Sequence, residues 1–273
     1  MAKSSDIEVS YCGQTTKIVN NESVVLNPNG INSGSLKEPT DEELTALEKR
    51  ARTVFSFTQM MACPWIAEFS GLPRAGKSEC IATITHFLRR HGFTVLSPFE
   101  GASQAPDYLK DDLLLYNTWT ASYAIRQIIQ ALRVRNPNKY DVVLIDRGLF
   151  DAIAWFHYLE KEKTVKPEVR EIMTKYMQIP FWKEYIQRVF LLLCSHEQAL
   201  KRELNSKLTN KPGTVLSEGR LRDLRKNYCE MQSLYETIFK IDTIETDSAT
   251  PKAVGFKVIS IIFSDIEQRR HYQ

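Results

Sequence analysis

The run Gly71-Leu72-Pro73-Arg74-Ala75-Gly76-Lys77-Ser78 holds two glycines with four residues between them, then a lysine and a hydroxyl. Each of these types has a task on a polyphosphate. The glycines let the backbone turn tightly and approach phosphate oxygens, so that main-chain N–H groups point inward. A helix starting at this point adds partial positive charge. Lys77 can reach the β- and γ-phosphates, and the Ser78 hydroxyl can ligate Mg2+. With Arg74, Ala75 and, early in the following helix, Cys80, these residues make up the expected donor-binding set.

A second constellation is Val142-Val143-Leu144-Ile145-Asp146-Arg147-Gly148, an apolar run that ends in a carboxylate and a guanidinium. A buried strand that delivers Asp at its carboxyl end places it in the crevice where open α/β sheets bind ligands. There Asp146 can hold a water of the Mg2+ shell, and Arg147 can pair with phosphoryl oxygens through its planar fork. A turn with a surface ion pair is the plain alternative. Glu100, in Phe93-Thr94-Val95-Leu96-Ser97-Pro98-Phe99-Glu100-Gly101, falls just past another short apolar run. It is either the group that accepts the proton of an attacking hydroxyl or a solvated loop carboxylate. Between Leu200 and Arg225 lie Lys201, Arg202, Lys207, Lys211, Arg220, Arg222 and Arg225, around Pro212-Gly213. A cationic flap there could close on a nucleotide and exclude water, with Arg202 the residue singled out; a solvated helix face is the alternative. Tyr116, Trp119, Tyr123 and Trp155 could stack on a base or simply pack the core. The five histidines show no metal-ligand spacing, so no metal is expected beyond the Mg2+ that accompanies ATP.

The elements that must position these groups alternate in type. Short apolar runs at Trp65 to Phe69, Phe93 to Leu96, Val142 to Ile145, Val189 to Cys194 and Thr243 to Glu245 are expected strands. Between them fall helical patterns over Lys77 to about Arg90, Leu113 to Val134, Phe150 to Glu162, Pro167 to Gln187, Glu197 to Asn205 and Arg220 to Ile238, with one more helix at the end. This is the pattern of βαβ units and a parallel sheet covered on both faces. Residues 1–62 read as a polar N-terminal extension, with alternating stretches at Ile7 to Tyr11 and Lys17 to Leu26 that suggest either a hairpin or partial disorder. A helix over 41–57 follows, opened by a Thr40/Glu43 capping box. Residues 63–273 read as the main domain, with a polar flap around 200–222.

The 273 residues, with 43% hydrophobic and 25% charged side chains and a net charge of +3, describe a globular chain that can build one large core. That charge balance argues against a bulk electrostatic grip on nucleic acid or anionic lipid, and leaves a local basic cleft open. No apolar run approaches the roughly 20 residues that span a bilayer, and the start is unlike a secretory signal. Five scattered cysteines without a Cys-x-x-Cys pair suggest free thiols and a cytoplasmic location.

These motifs in this order resemble the thymidylate kinase and deoxynucleoside kinase group of phosphate-loop phosphotransferases, over roughly Pro64 to Glu267. The matching residues are Gly71 to Ser78, Glu100, the Leu113-Leu114-Leu115-Tyr116 helix start, Asp146-Arg147, and Phe190 to Leu193 leading to Ala199-Leu200-Lys201-Arg202. The resemblance implies a three-layer α/β/α fold with a central five-stranded parallel sheet and a helical lid. It also implies ATP on the phosphate loop, Mg2+ at Ser78 and Asp146, lid arginines, and Glu100 as the acceptor-side carboxylate. The acceptor would be a nucleoside or nucleotide, and the helix Leu113 to Val134 would be a candidate interface between two copies. Thymidylate kinases carry Arg-Glu-Pro where this chain has Phe99-Glu100-Gly101, and a Tyr or Ser where it has Gly148. The alternatives are a kinase acting on a polynucleotide or modified-nucleotide hydroxyl, and a nucleotide-binding or NTPase module without an acceptor. GTP stays open beside ATP as donor.

Overall fold

The computed structural model describes residues 9–11, 14–16, 36–132, 140–206 and 217–269. The chain divides into Met1–Ser33 and Gly34–Gln273. The first unit contains a short antiparallel pair, β1 (Val9–Tyr11) and β2 (Gln14–Thr16). The second carries the sheet and every helix described here.

That sheet has five strands, all parallel: β3 (Trp65–Gly71), β4 (Val95–Leu96), β5 (Val142–Asp146), β6 (Ile186–Leu193) and β7 (Ile241–Glu245), in the order β4-β5-β3-β6-β7. All residues of β3 and β5 are buried, as expected of central strands covered on both faces. The chain leaves β3, visits the β5 side, and then crosses to β6 on the other flank. The carboxyl end of β3 is therefore a topological switch point, where a crevice opens. In register, Phe69 lies opposite Asp146 and Gly71 opposite Leu192. The loop after β3 and the Asp-Arg pair after β5 thus emerge side by side.

The covering helices are α1 (Asp41–Thr58), α2 (Lys77–Arg90), α3 (Gly101–Gln104), α4 (Leu113–Ala131), α5 (Leu149–Lys161), α6 (Pro167–Met177), α7 (Pro180–Lys183), α8 (His196–Ser206), α9 (Glu218–Tyr235) and α10 (Pro251–Arg269). The α1 capping box is present in full: the Glu43 N–H donates to Thr40 Oγ1 at 3.2 Å and the Thr40 N–H to Glu43 Oε2 at 2.8 Å. Two expectations change. The compact unit begins at Gly34, not near residue 63, because α1 packs on α10, where Arg50 forks onto Glu267 (2.9 and 2.6 Å) and reaches Ser264 Oγ at 2.8 Å. The single helix expected over Pro167 to Gln187 is two helices and the start of β6. Pro180 forces Ile179 out of the helical region, to φ −55° and ψ 127°. The cysteines also depart from five free thiols: Cys63 is disulfide-bonded, whereas Cys80, Cys194 and Cys229 are free. Among the described residues no helix is long and apolar enough to cross a membrane.

Candidate active site

Gly71 ends β3 with φ +121°, and a Cβ there would lie 2.0 Å from the Leu192 carbonyl oxygen. Only glycine can thread between β5 and β6 at this point. Arg74 at φ +62° and Gly76 at φ +91° complete the turn into α2. Lys77 is buried and folds back over the loop, donating to the Gly71 and Leu72 carbonyls at 3.1 and 2.9 Å. Burial, and then the nearby Arg147, lower its ammonium to about 8. Asp146, Asp151 and Glu100 act on this ammonium from nearby and favour its charged form, while its hydrogen bonds go to backbone carbonyls of the loop. Ala75 is buried in the same turn, its N–H donating to the Leu72 carbonyl at 3.2 Å. Cys80 sits differently: its thiol is packed in the core and pushed up by burial, and its N–H bonds the Gly76 carbonyl. Both groups are committed to the helix and the core.

Ser78 and Asp146 are brought together, with the Ser78 hydroxyl donating to Asp146 Oδ2 at 2.7 Å. The other Asp146 oxygen is buried without a hydrogen-bond partner. Burial raises this carboxyl above the ordinary aspartate range, although Lys77 and Arg147 oppose the rise. An unpaired buried acceptor next to a serine hydroxyl suits a cation that keeps part of its water shell, as Mg2+ does. Among the described residues no group of three or more His, Cys, Asp or Glu forms a metal cage.

Arg147 is the hub of the site. Its backbone is left-handed at φ +61°, and its N–H is held by the Phe69 carbonyl at 2.9 Å. The guanidinium Nε bonds Glu100, while Nη1 reaches both Asp151 oxygens (3.2 and 3.0 Å) and the Gly71 carbonyl at 3.4 Å. Burial alone would lower its pKa, but Asp151, Tyr228, Glu100 and Asp146 outweigh that and hold it well above the usual value. Glu100 is therefore no free loop carboxylate, since it is paired across the crevice mouth with the Asp-Arg turn. Asp151 also receives the Tyr228 hydroxyl at 2.7 Å and the Gly71 N–H at 3.3 Å, which ties α5 and α9 to the phosphate loop.

Beneath this layer lies Glu68, fully buried in the middle of β3. It accepts from Ser70 Oγ (2.5 Å), the Phe150 N–H (3.0 Å) and the Asp151 N–H (2.7 Å), and so caps α5 from outside the helix. Burial pushes its carboxyl up to about 7. Gly148 leaves the space for it, since a Cβ there would meet Glu68 Oε2 at 2.5 Å. Motif reading missed Glu68, Asp151 and Tyr228. The available signal was a charged residue inside an apolar run, which is expensive to bury without partners.

Arg202 does not point freely toward the crevice. It donates to the Arg74 carbonyl and to Thr246 Oγ1, both at 3.1 Å, and to the Thr246 carbonyl. Its neighbour Glu203, fully buried, pairs with Arg74 Nε at 2.5 Å. The base of the expected flap thus grips the phosphate loop from the side. Of the other flap cations, Arg222 pairs with Glu218 and Arg225 with Glu245, on or beside α9; Lys207, Lys211 and residues 207–216 lie outside the described residues. Tyr116 approaches the crevice wall, donating to the Ala102 carbonyl at 3.4 Å, and Tyr123 packs over Gly101. Trp155 packs edge-on against Tyr158, and Trp119 is partly exposed on α4.

A cavity of about 800 Å3 opens beside this corner, running from Ser78, Glu100 and Asp146 along α2. A five-stranded parallel sheet with a phosphate loop at its switch point and an Asp-Arg turn beside it defines a P-loop kinase α/β fold. Among solved structures the chain is similar to deoxyadenosine kinase from M. mycoides. With the form with bound dCTP it shares 17% identity at a TM-score of 0.52, covering 73% of this chain and 98% of that one. The form with products dCMP and a flexible dCDP gives 16%, 0.53, 74% and 99%, and the form with bound dATP gives 16%, 0.52, 72% and 98%. No family model and no curated protein sequence matches the chain. The likeness bears out the P-loop kinase α/β fold.

Proposed function

We propose that this protein is an ATP- and Mg2+-dependent kinase that transfers a γ-phosphoryl group to a nucleoside or nucleotide hydroxyl. The observation that carries this reading is the convergence of Lys77, Ser78, Glu100, Asp146 and Arg147 at the carboxyl ends of β3 and β5. Lys77 and the loop N–H groups would cradle the donor phosphates, and Ser78 and Asp146 would hold Mg2+, which when bound neutralises phosphate charge. Glu100 would take the acceptor hydroxyl proton as the new O–P bond forms. The bond from the γ-phosphorus to the bridging oxygen breaks, and its electron pair leaves on the nucleoside diphosphate. Arg147 positions Glu100 and faces the charge that develops on the transferred group. Arg202, through the Arg74 carbonyl, would set the shape of the loop. The exposed face of α4, with Leu115, Trp119 and Ile129, is the surface proposed for contact between two copies.

The test is incubation with γ-labelled ATP and Mg2+, following label into deoxynucleosides, nucleoside monophosphates, oligonucleotides and free phosphate. Label in an acceptor supports the kinase. Label only in free phosphate, or binding without turnover, would make the protein a nucleotide-binding module instead.

A further inference from the structure

The cavity beside the site is a groove with two unlike ends. Its inner end is Ser78, Asp146 and Glu100; its outer end is His86, Arg89 and Arg90, all on α2. Ile81 and Thr85 form the floor between them, and Ser97, Pro98 and Phe99 form the facing wall. From Ser78 to Arg89 the helix advances eleven residues, or about 16 Å at 1.5 Å each. The groove therefore continues well past the corner that holds Ser78, Asp146 and Glu100.

Three features mark it as built to hold something. Thr85 is 93% buried in the groove floor and its hydroxyl has no hydrogen-bond partner, and Asp146 Oδ1 at the inner end is unpartnered as well. Phe99 is 78% exposed on the wall, a position from which a ring can stack on a base. The charges are segregated: carboxylates stand where a hydroxyl must lose its proton, and cations where nothing in the phosphoryl-transfer step needs them. Arg90 is exposed, and Arg89 uses one nitrogen on the Val95 carbonyl at 3.0 Å, which fixes its stem against the groove wall.

We infer that the acceptor is the 5′-hydroxyl of a nucleotide carrying phosphate on its 3′ side, with His86, Arg89 and Arg90 as the subsite for that phosphate. This rests on the kinase reading for the hydroxyl and deepens it by naming the acceptor class. A nucleoside 3′-monophosphate and the 5′ end of a single strand share this chemistry. A neutral nucleoside leaves the outer end of the groove unused.

Calorimetric titration with deoxyadenosine, deoxyadenosine 3′-monophosphate and a 5′-hydroxyl tetradeoxynucleotide tests the subsite without any transfer. The 3′-monophosphate is expected to bind about tenfold more tightly than the nucleoside, the worth of one charge-assisted contact. Arg90→Gln should bring that ratio toward one, and Arg90→Lys should restore most of it. Further gain with the tetranucleotide, weakening as salt is raised, identifies the strand as acceptor; no further gain identifies the mononucleotide. Equal affinity for nucleoside and 3′-monophosphate, or a ratio that Arg90→Gln does not move, overturns the inference. The same three acceptors with γ-labelled ATP separate it from the reading beneath it. Selective binding without label transfer to any of them leaves the subsite standing and removes the kinase. Label entering deoxyadenosine, with equal affinities, leaves the kinase and removes the subsite.

Discussion

Replacing Glu68 by Gln tests whether the buried carboxylate under the site is held at a cost. In the folded protein burial raises this group from 4.5 to about 7, even though Ser70 and the N–H groups of Phe150 and Asp151 favour the anion. At about 1.4 kcal/mol per pH unit, that displacement amounts to about 3 kcal/mol. The sign follows from proton binding. Between pH 4.5 and 7 the folded chain holds a proton on Glu68 that the unfolded chain has lost, so stability falls as pH rises through this window. Gln has the shape of the protonated acid and does not titrate. It has one acceptor oxygen where Glu68 uses two, which adds a pH-independent cost; on top of that offset the variant should gain about 3 kcal/mol on the native protein between pH 4.5 and pH 7. Urea unfolding at half-unit pH steps measures this, and the difference between the two proteins cancels the titrations they share. A difference that is flat from pH 4 to 8 would refute the account of Glu68.

Other changes probe the loop and its surroundings. Lys77→Ala should abolish phosphoryl transfer without lowering the urea midpoint at pH 7, because the amine, lowered to about 8 by burial and by Arg147, is costly to keep charged there; near-normal transfer would sink the assignment of the loop. Gly71→Ala should destabilise by more than about 3 kcal/mol, since its Cβ would collide with the Leu192 backbone, as seen in expression yield and urea midpoint. Gly76→Ala, whose Cβ meets nothing within 4 Å, should cost only the left-handed backbone penalty of about 1–2 kcal/mol. Gly148→Ala pushes on Glu68 and should cost about 1–3 kcal/mol by overpacking, read from the same midpoints.

Much of this architecture was legible in the chain. Gly71 to Ser78 announces itself by spacing, and Asp146-Arg147 by its position at the end of an unbroken apolar run. The strand cores fell within a few residues of their expected places because central parallel strands are apolar on both faces. Boundaries set by tertiary contact were less visible. Nothing local to Arg50 says that it will fork onto Glu267, 217 residues away, and draw α1 into the main unit. The reach of Arg202 to Arg74 and Thr246 is equally non-local. Tyr228 is ordinary in its helix and gains meaning only when α9 brings its hydroxyl to Asp151.

The strand β4 is only two residues long, paired to β5 through Val95 and Leu96 and anchored by Asp141, whose side chain accepts the Thr94 N–H at 2.7 Å. Beyond it, Ser97 to Phe99 make no ladder with the sheet, yet this stretch forms the groove wall and leads directly to Glu100. The groove wall and the sheet beneath it are therefore nearly independent here. If the groove seats the acceptor, the 97–99 stretch could be exchanged like an interchangeable tool head, changing what is accepted while the central strands beneath, and the melting behaviour they govern, remain as they are.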